Sequence, residues 1–331
     1  MASPTHWQQR GPLALVLLPL AALFAAVSAL RRAAWRHGLR TAHRAGVPVV
    51  VVGNITAGGT GKTPLTLWLA RFLMDHGYHP GIISRGYGAK ATHAREVPPD
   101  GAPIDYGDEP CLLTQRTGCP VWVGTDRVNV AHELLAAHPA TDIIISDDGL
   151  QHYRLARDLE IAVIDGALGF GNRWPLPAGP LREPASRLDS VDAVVVNGDD
   201  ATQAWPQALR MHLQGDTFRN LMHPQQHVTA AHFSGRRVHA IAGIGNPRRF
   251  FAQLGRMGIS CMPREFPDHH AYTAADLAFA GDEEIVMTEK DAVKCAAFAS
   301  ARHWVLVVNA EPDTRLGELI LARLAETRRH G

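Results

Sequence analysis

"VVVVGNITAGGTGKTPLTLWLA", residues 49–70, decides how the rest of the chain is read. Four consecutive valines suit a strand buried on both faces. The strand runs through a glycine-rich turn into Lys62 and Thr63, which open a helix over 63–76. Gly58, Gly59 and Gly61 let backbone N–H groups converge on phosphate oxygens, Lys62 reaches the β- and γ-phosphates, and Thr63 can ligate Mg²⁺. Thr56, Ala57, Gly58, Gly59, Thr60, Gly61, Lys62 and Thr63 are therefore the candidate binders of ATP and its metal. The loop departs from G-x-x-x-x-G-K-[ST] at Thr56, where the first glycine would stand. The form A-G-G-T-G-K-T is similar to the double-glycine loops of P-loop proteins that include partner-activated ATPases. Ala57 occupies the place where many of those carry a second lysine, so no lysine from a dimer partner is expected.

Around this stretch, apolar runs alternate with helical patterns. Runs at 80–84, 121–123, 142–146, 159–164 and 193–196 read as further buried strands, and helices fit between them, for example over 127–137. The pattern is α/β: a P-loop NTPase-like parallel sheet flanked by helices. From about residue 226 a second, smaller α/β unit begins, with strands at 237–242, 284–287 and 304–308 and helices near 247–257 and 274–280. The polar segment 198–225 supplies the boundary. The expected units are an anchor with a basic flank over 1–45, a P-loop kinase domain over 46–225, and the C-terminal α/β domain over 226–331.

Acidic residues follow the strands. "TDIIISDDGLQH", 141–152, places Asp147 and Asp148 just beyond an apolar run, where a P-loop protein needs its metal-holding acid. Paired carboxylates there repel unless a cation sits beside them; Asp147 is assigned to Mg²⁺, directly or through water, and Asp148 to a supporting catalytic role. A helix cap or a solvated turn is the plainer reading of the pair. "DYGDEP", 105–110, offers Asp105, Asp108 and Glu109 as bases for an attacking hydroxyl, and "FPDHH", 266–270, offers Asp268, His269 and His270 as a relay. Solvated loop acids and a polar turn are the alternatives. Arg85, Arg127 and Arg182 are candidate cations for phosphate charge, and "SRGYG", "GPLREPASRL", "GIGNP" and "MTEKDAVK" are left without a role.

The front end is a separate object. No Asp or Glu precedes Asp75, while residues 1–45 contain six arginines. Residues 12–30 carry no charge; as a helix they extend about 28 Å, close to one hydrocarbon thickness. "RRAAWRHGLRTAHR" follows, basic with one Trp, as at an anionic interface. A cleavable signal peptide, with "VSA" at 27–29 as its site, and a buried core helix are the competing readings. Two arginines directly after that site and an ATP-type loop beyond favour an uncleaved anchor with its basic flank on the cytoplasmic side. Pro19 is placed to kink it.

A net charge of +1 leaves no global field to recruit nucleic acid, and no aromatic residues interleave with a basic stripe. Four cysteines with no C-x-x-C pair read as reduced thiols, not as a zinc or disulfide framework.

Taken in order, "GNITAGGTGKTP", "SRGYG", "GDEP", "DDGLQH", "GPLREP…SRL", "FPDHH" and "MTEKDAVK", behind one N-terminal hydrophobic helix, resemble the tetraacyldisaccharide 4'-kinase (lipid A 4'-kinase) family. The resemblance implies ATP-dependent phosphorylation of the 4'-hydroxyl of a tetraacylated glucosamine disaccharide 1-phosphate, at the cytoplasmic face of a Gram-negative inner membrane. It implies Asp108 as catalytic base with His269 as dyad partner, Asp147 and Asp148 in metal and catalytic roles, Arg182 on phosphate, and Glu109 or Glu183 assisting the metal. With His269 in the second unit, the dyad requires the two units to approach, and closure would exclude water. The partners implied are the lipid and a membrane surface, with no obligate protein partner. The alternative from another class is a membrane-associated P-loop switch ATPase acting on a protein partner.

Overall fold

A computed structural model describes residues 4–86, 93–198, 205 and 207–330; Tyr87 and Gly88 of the SRGYG stretch lie outside the described residues. The apolar N-terminal run breaks at Leu17 into α1 (Pro12–Val16) and α2 (Leu18–Arg36), because Pro19 sits in the first turn of the second helix, where its missing N–H costs nothing. The valine run is β1 (Val49–Gly53), fully buried as its composition demands.

The body continues through α3 (Lys62–Asp75), β2 (Pro80–Ser84), β3 (Arg95–Glu96), α4 (Pro103–Tyr106), α5 (Asp108–Thr117), β4 (Val121–Val123) and α6 (Arg127–Ala137). Then come β5 (Ile143–Asp147), β6 (Leu159–Asp165), β7 (Ala193–Asn197) and β8 (Leu209–Gln214). Every neighbouring pair from β8 through β7, β6, β1, β5 and β2 to β4 is parallel. α3 covers one face because Leu65, Leu69 and Leu73, at helical spacing, meet Val50 and Val52 in one core. The second sheet is built from β9 (Thr217–Asn220), β10 (His227–Thr229), β11 (Val238–Ala242), β12 (Cys261–Glu265), β13 (Glu284–Thr288) and β14 (His303–Leu306), in the order β10-β9-β14-β13-β11-β12. Its helices are α7 (Pro247–Arg256), α8 (Ala274–Leu277) and α9 (Glu289–Cys295).

The two units do not divide at residue 225. The segment read as a boundary contains β8, which extends the first sheet, and β9, which belongs to the second. The chain then returns: β15 (Asn309–Pro312) pairs antiparallel with β8, and α10 (Thr314–His330) buries Leu316, Ile320 and Leu324 in the first core. Periodicity tells which residues of a helix seek a core, not which core receives them. The second unit is thus an insertion between β8 and β15, and its two connections touch. Val307 N–H donates to Thr217 O at 3.0 Å, and a Cβ on Gly215 would stand 2.4 Å from Val307 O.

Candidate active site

The turn after β1 needs backbone that side chains resist. Gly58 and Gly61 have φ of +116° and +97°, and a Cβ at 61 would fall 2.5 Å from Asn197 Nδ2. The same Asn197 amide donates to Thr60 O at 3.1 Å, while Asn54 Nδ2 donates to Gly58 O at 3.3 Å. From the other side the GPLREP stretch braces the loop: Ala57 N–H donates to Pro180 O at 2.8 Å and Arg182 N–H to Ile55 O at 2.8 Å, with Thr56 bridged to Leu181. Lys62 and Thr63 open α3, so the positive end of that helix faces the loop.

At the end of β5 the two aspartates do different things. Asp147, fully buried, accepts from Thr66 Oγ1 at 3.2 Å and Ser84 Oγ at 3.4 Å. Burial, then the neighbouring charges of Glu109 and Asp148, push its carboxyl well above the ordinary carboxylate range. Asp148 sits at φ +49°, in the left-handed region, and its carboxylate is 3.0 Å from Arg182 Nη1 and 3.6 Å from Lys62 Nζ. Burial would raise it, but Lys62, Arg182 and Arg127 outweigh burial and hold it far below its usual value. A carboxyl held towards its neutral form by burial and then by two anionic neighbours is one that a divalent cation would relieve; Thr63 and Glu109 line the cleft, with Asp147 buried beside them. Among the described residues there is no group of three His, Cys, Asp or Glu arranged to enclose a metal by themselves, and a magnesium site completed by substrate phosphates and water does not require one.

Asp108 opens α5 and is met from the inserted unit. His269 Nδ1 lies 3.0 Å from Asp108 Oδ2 and 3.2 Å from Oδ1. His269 has φ +59°, and its backbone N–H donates to Asp268 Oδ1 at 3.1 Å. Left-handed backbone at a non-glycine residue is strained, and such residues cluster at functional sites. Burial would raise Asp108, yet the hydrogen bond from His269 and the charges of Lys290, His269 and Lys294 together hold it below its ordinary value. His270 faces its own unit, 3.3 Å from Asp276 and stacked on Phe266.

One cleft of ≈ 1120 Å³ joins these parts. Its wall includes the loop 57–63, Glu109, Asp148, Arg182 and Glu183 from the first unit, Arg249, Asp268, His269 and Lys290 from the second, and Phe24, Ser28 and Arg31 of α2. A mostly apolar hollow of ≈ 540 Å³ adjoins it, sharing Ser28, Arg182 and Glu183 and lined further by Ala25, Ala29, Phe170 and Leu181.

The structure therefore brings Lys62 and Arg182 each onto Asp148, and pairs Asp108 with His269. Arg127 moves out of the phosphate-binding group: it is buried behind the site, donates to Gly124 O at 2.7 Å and Asp147 O at 3.4 Å, and does not line the cleft. Glu183 is already engaged by Gln151 Nε2 at 2.9 Å and by the Tyr153 hydroxyl. Three residues escaped the sequence reading. Asn197, at the end of β7, tethers the loop; Arg249 reaches from the second unit to Asn197 at 2.7 Å and Asp165 at 3.4 Å; Lys290 touches three carboxylates. Only the strand end "VVVNG" and the unassigned "GIGNP" and "MTEKDAVK" signalled them.

The family model described as tetraacyldisaccharide-1-P 4'-kinase matches residues 13–325. The chain belongs to this family. A tetraacyldisaccharide 4'-kinase of Azoarcus sp. (strain BH72) is 53% identical, with 98% of this chain and 96% of the relative covered. One of Methylobacillus flagellatus is 50% identical, with 97% and 93% covered. Among solved structures, that of LpxK from Aquifex aeolicus in complex with ATP superposes with a TM-score of 0.79 at 26% identity, over 94% of this chain and 99% of the other. The match to the tetraacyldisaccharide 4'-kinase family spans the N-terminal apolar helix, both α/β units and most of the returning α10.

Proposed function

We infer that this protein transfers the terminal phosphoryl group of ATP to the 4'-hydroxyl of a tetraacylated glucosamine disaccharide 1-phosphate, at the cytoplasmic surface of the bacterial inner membrane. The observation that carries the reading is the Asp108–His269 pair, supplied by two units, whose His269 lines the same cleft as the phosphate-binding loop. A switch ATPase uses such a loop but has no need of a base for an acceptor alcohol.

In this reading the backbone amides of 57–63 and the Lys62 ammonium cradle the phosphates. Asp148 keeps Lys62 and Arg182 aimed into the cleft until phosphate oxygens compete for both cations. Asp108, ionised and oriented by His269, accepts the proton of the sugar hydroxyl as that oxygen attacks phosphorus in line. Thr63, Asp147 and Glu109 would hold Mg²⁺, which would supply neutralisation of phosphate charge. The adjoining apolar hollow and α2 suit the acyl chains, whose transfer into water would cost about 0.8 kcal/mol per CH₂.

The anchor in this reading lies in one leaflet. Its two flanks both rest on the same body: Trp7 Nε1 donates to Pro177 O at 3.0 Å and Asn172 Nδ2 to His6 O at 2.9 Å, while Arg31 Nη2 donates to Gln151 O at 3.4 Å beyond the other end. Between them Leu20, Leu23, Val27 and Leu30 form one outward stripe, each more than half exposed, and Ala21 is buried on the opposite side. A spanning helix would carry its ends to opposite sides of the bilayer. Incubating the purified protein with labelled ATP and the disaccharide 1-phosphate in mixed micelles tests the function: label should move to the lipid, and ATP turnover without lipid phosphorylation would favour the switch reading.

A further inference from the structure

The motif assignments leave "GIGNP", 243–247, without a role, yet this turn of the inserted unit lies against the phosphate-binding loop. A Cβ on Gly245 would stand 3.2 Å from Gly59 N. Pro247 then opens α7, and Asn246 caps it, its Oδ1 accepting from the Arg249 N–H at 3.3 Å. Arg249, the third residue of that helix, carries its guanidinium back to the first unit.

There it meets two strand ends at once. Asp165 of β6 and Asn197 of β7 are partners in the parallel register, and both are buried. Arg249 Nη2 donates to Asn197 Oδ1 at 2.7 Å, and Nη1 lies 3.4 Å from Asp165 Oδ2. The Asp165 carboxylate is itself fixed, its Oδ1 accepting from the Ala167 and Leu168 N–H groups at 3.0 and 3.1 Å. A guanidinium can only donate, so its presence decides which way the Asn197 amide lies. The oxygen faces Arg249, and Nδ2 is left to donate to Thr60 O at 3.1 Å. The flipped amide would set acceptor against acceptor at Thr60 and donor against donor at Arg249.

We propose that Arg249 is a positioning residue for the nucleotide: from the inserted unit it fixes the Asn197 amide, and through that amide it sets the shape of the phosphate-binding loop just before Lys62. The proposal rests on the reading above that this loop receives the phosphates of ATP. The same Nδ2 that bonds Thr60 O occupies the space beside Gly61, where a Cβ would come within 2.5 Å of it, so the amide both tethers the loop and packs against it. Without Arg249, a buried Asn197 oxygen loses its donor and the amide loses the partner that orients it, a loss that weakens the bond to Thr60 O as well. Nucleotide affinity thereby depends on a side chain that the first unit does not contain.

The test is a double-mutant cycle on the full chain in detergent micelles, titrating a non-hydrolysable ATP analogue with Mg²⁺ by calorimetry and recording melting temperatures without nucleotide. Arg249→Met is expected to weaken binding by about five- to thirtyfold, the range of one hydrogen bond from a charged donor. In an Asn197→Ala background the same substitution should change affinity by less than about twofold, because the path it acts through is already cut. Asn197→Asp, which still accepts from Arg249 but has no donor for Thr60 O, should bind at least as weakly as Asn197→Ala. In turnover, the KM for ATP should rise in Arg249→Met while the KM for the lipid stays in place. Unchanged affinity in Arg249→Met, wild-type affinity in Asn197→Asp, or an Arg249→Met effect that persists in full without Asn197, as a direct contact with phosphate would give, overturns the proposal; so does a loss that tracks a lowered melting temperature. Failure of the wild type to bind the analogue would instead overturn the reading of the loop.

Discussion

His269 Nδ1 and Asp108 Oδ2 stand 3.0 Å apart although 161 positions of sequence and a change of unit separate them. The pairing joins the first residue of α5 to a left-handed residue of the loop after β12, so neither unit alone contains the pair. Asp108→Asn keeps the shape and removes the basicity. It is expected to lower lipid phosphorylation by about 10²- to 10⁴-fold, the range that positioned proton transfer contributes. Calorimetric titration with nucleotide should show binding retained, and near-normal turnover would reject Asp108 as the base.

Gly61 is the point where the loop has no room. Gly61→Ala places a Cβ 2.5 Å from Asn197 Nδ2 at φ +97°, a conformation that L side chains avoid. The tether from Asn197 to Thr60 O must then break. Nucleotide affinity should fall at least tenfold while the secondary structure, read by circular dichroism, is preserved; unaltered affinity would show that the loop can relax at no cost.

His152 lies beside the site in a partly buried position where burial, then Arg127, Arg85 and Arg31, push its imidazole down to about 3. The folded protein therefore keeps it neutral while the unfolded chain takes up a proton below the ordinary value near 6.5. The sign follows: this residue withdraws stability as pH falls from about 6.5 towards 3, at up to about 1.4 kcal/mol per pH unit. Urea unfolding at pH 7 and pH 5 should show a smaller acid loss for His152→Asn than for the wild type. Equal losses would mean that the ring protonates within the fold.

α10 decides what counts as a domain. Ile320 has no exposed surface and packs with Leu69 and Leu73 in the first core, so Ile320→Ala should cost about 2–5 kcal/mol. A fragment ending at residue 225 should be insoluble or unfolded, since β15 and α10 are missing from it; a cooperative thermal transition in that fragment would refute the assignment.

The outward stripe of α2 gives the membrane prediction. Leu20→Arg with Val27→Arg puts two charges where Leu20 and Val27 are 57% and 56% exposed, a change the body should tolerate and a leaflet should not. Flotation with anionic vesicles should fall sharply at unchanged melting temperature. A cysteine replacing Gln8 should resist a membrane-impermeant maleimide added to intact spheroplasts and react after lysis; labelling in intact spheroplasts would place that end in the periplasm.

Much of this was legible from residue order. The Val49–Val52 run, the glycine loop and Lys62 announced strand, turn and helix, because each element there is dictated by local chemistry. The parallel strands followed from length and apolar composition. From the residues alone Asp108 and His269 were only members of acidic and histidine-bearing turns, and their pairing came from the family resemblance; that they meet is a long-range fact, as is the direction of the His269 ring against that of His270. Lys290 was invisible for a related reason. A lysine in a helix reads as solvated until three carboxylates are shown around it. Arg127 failed in the opposite sense, since a basic residue read as a cation for phosphate is packed beside Asp147, with its guanidinium donating to main-chain carbonyls.

The inserted unit hangs from the first by two neighbouring strands, joined where Val307 donates to Thr217 O and Gly215 passes under Val307. His269 and Lys290 both belong to that inserted unit, so the two side chains that meet Asp108 of α5 reach it from one body held at two adjoining connections.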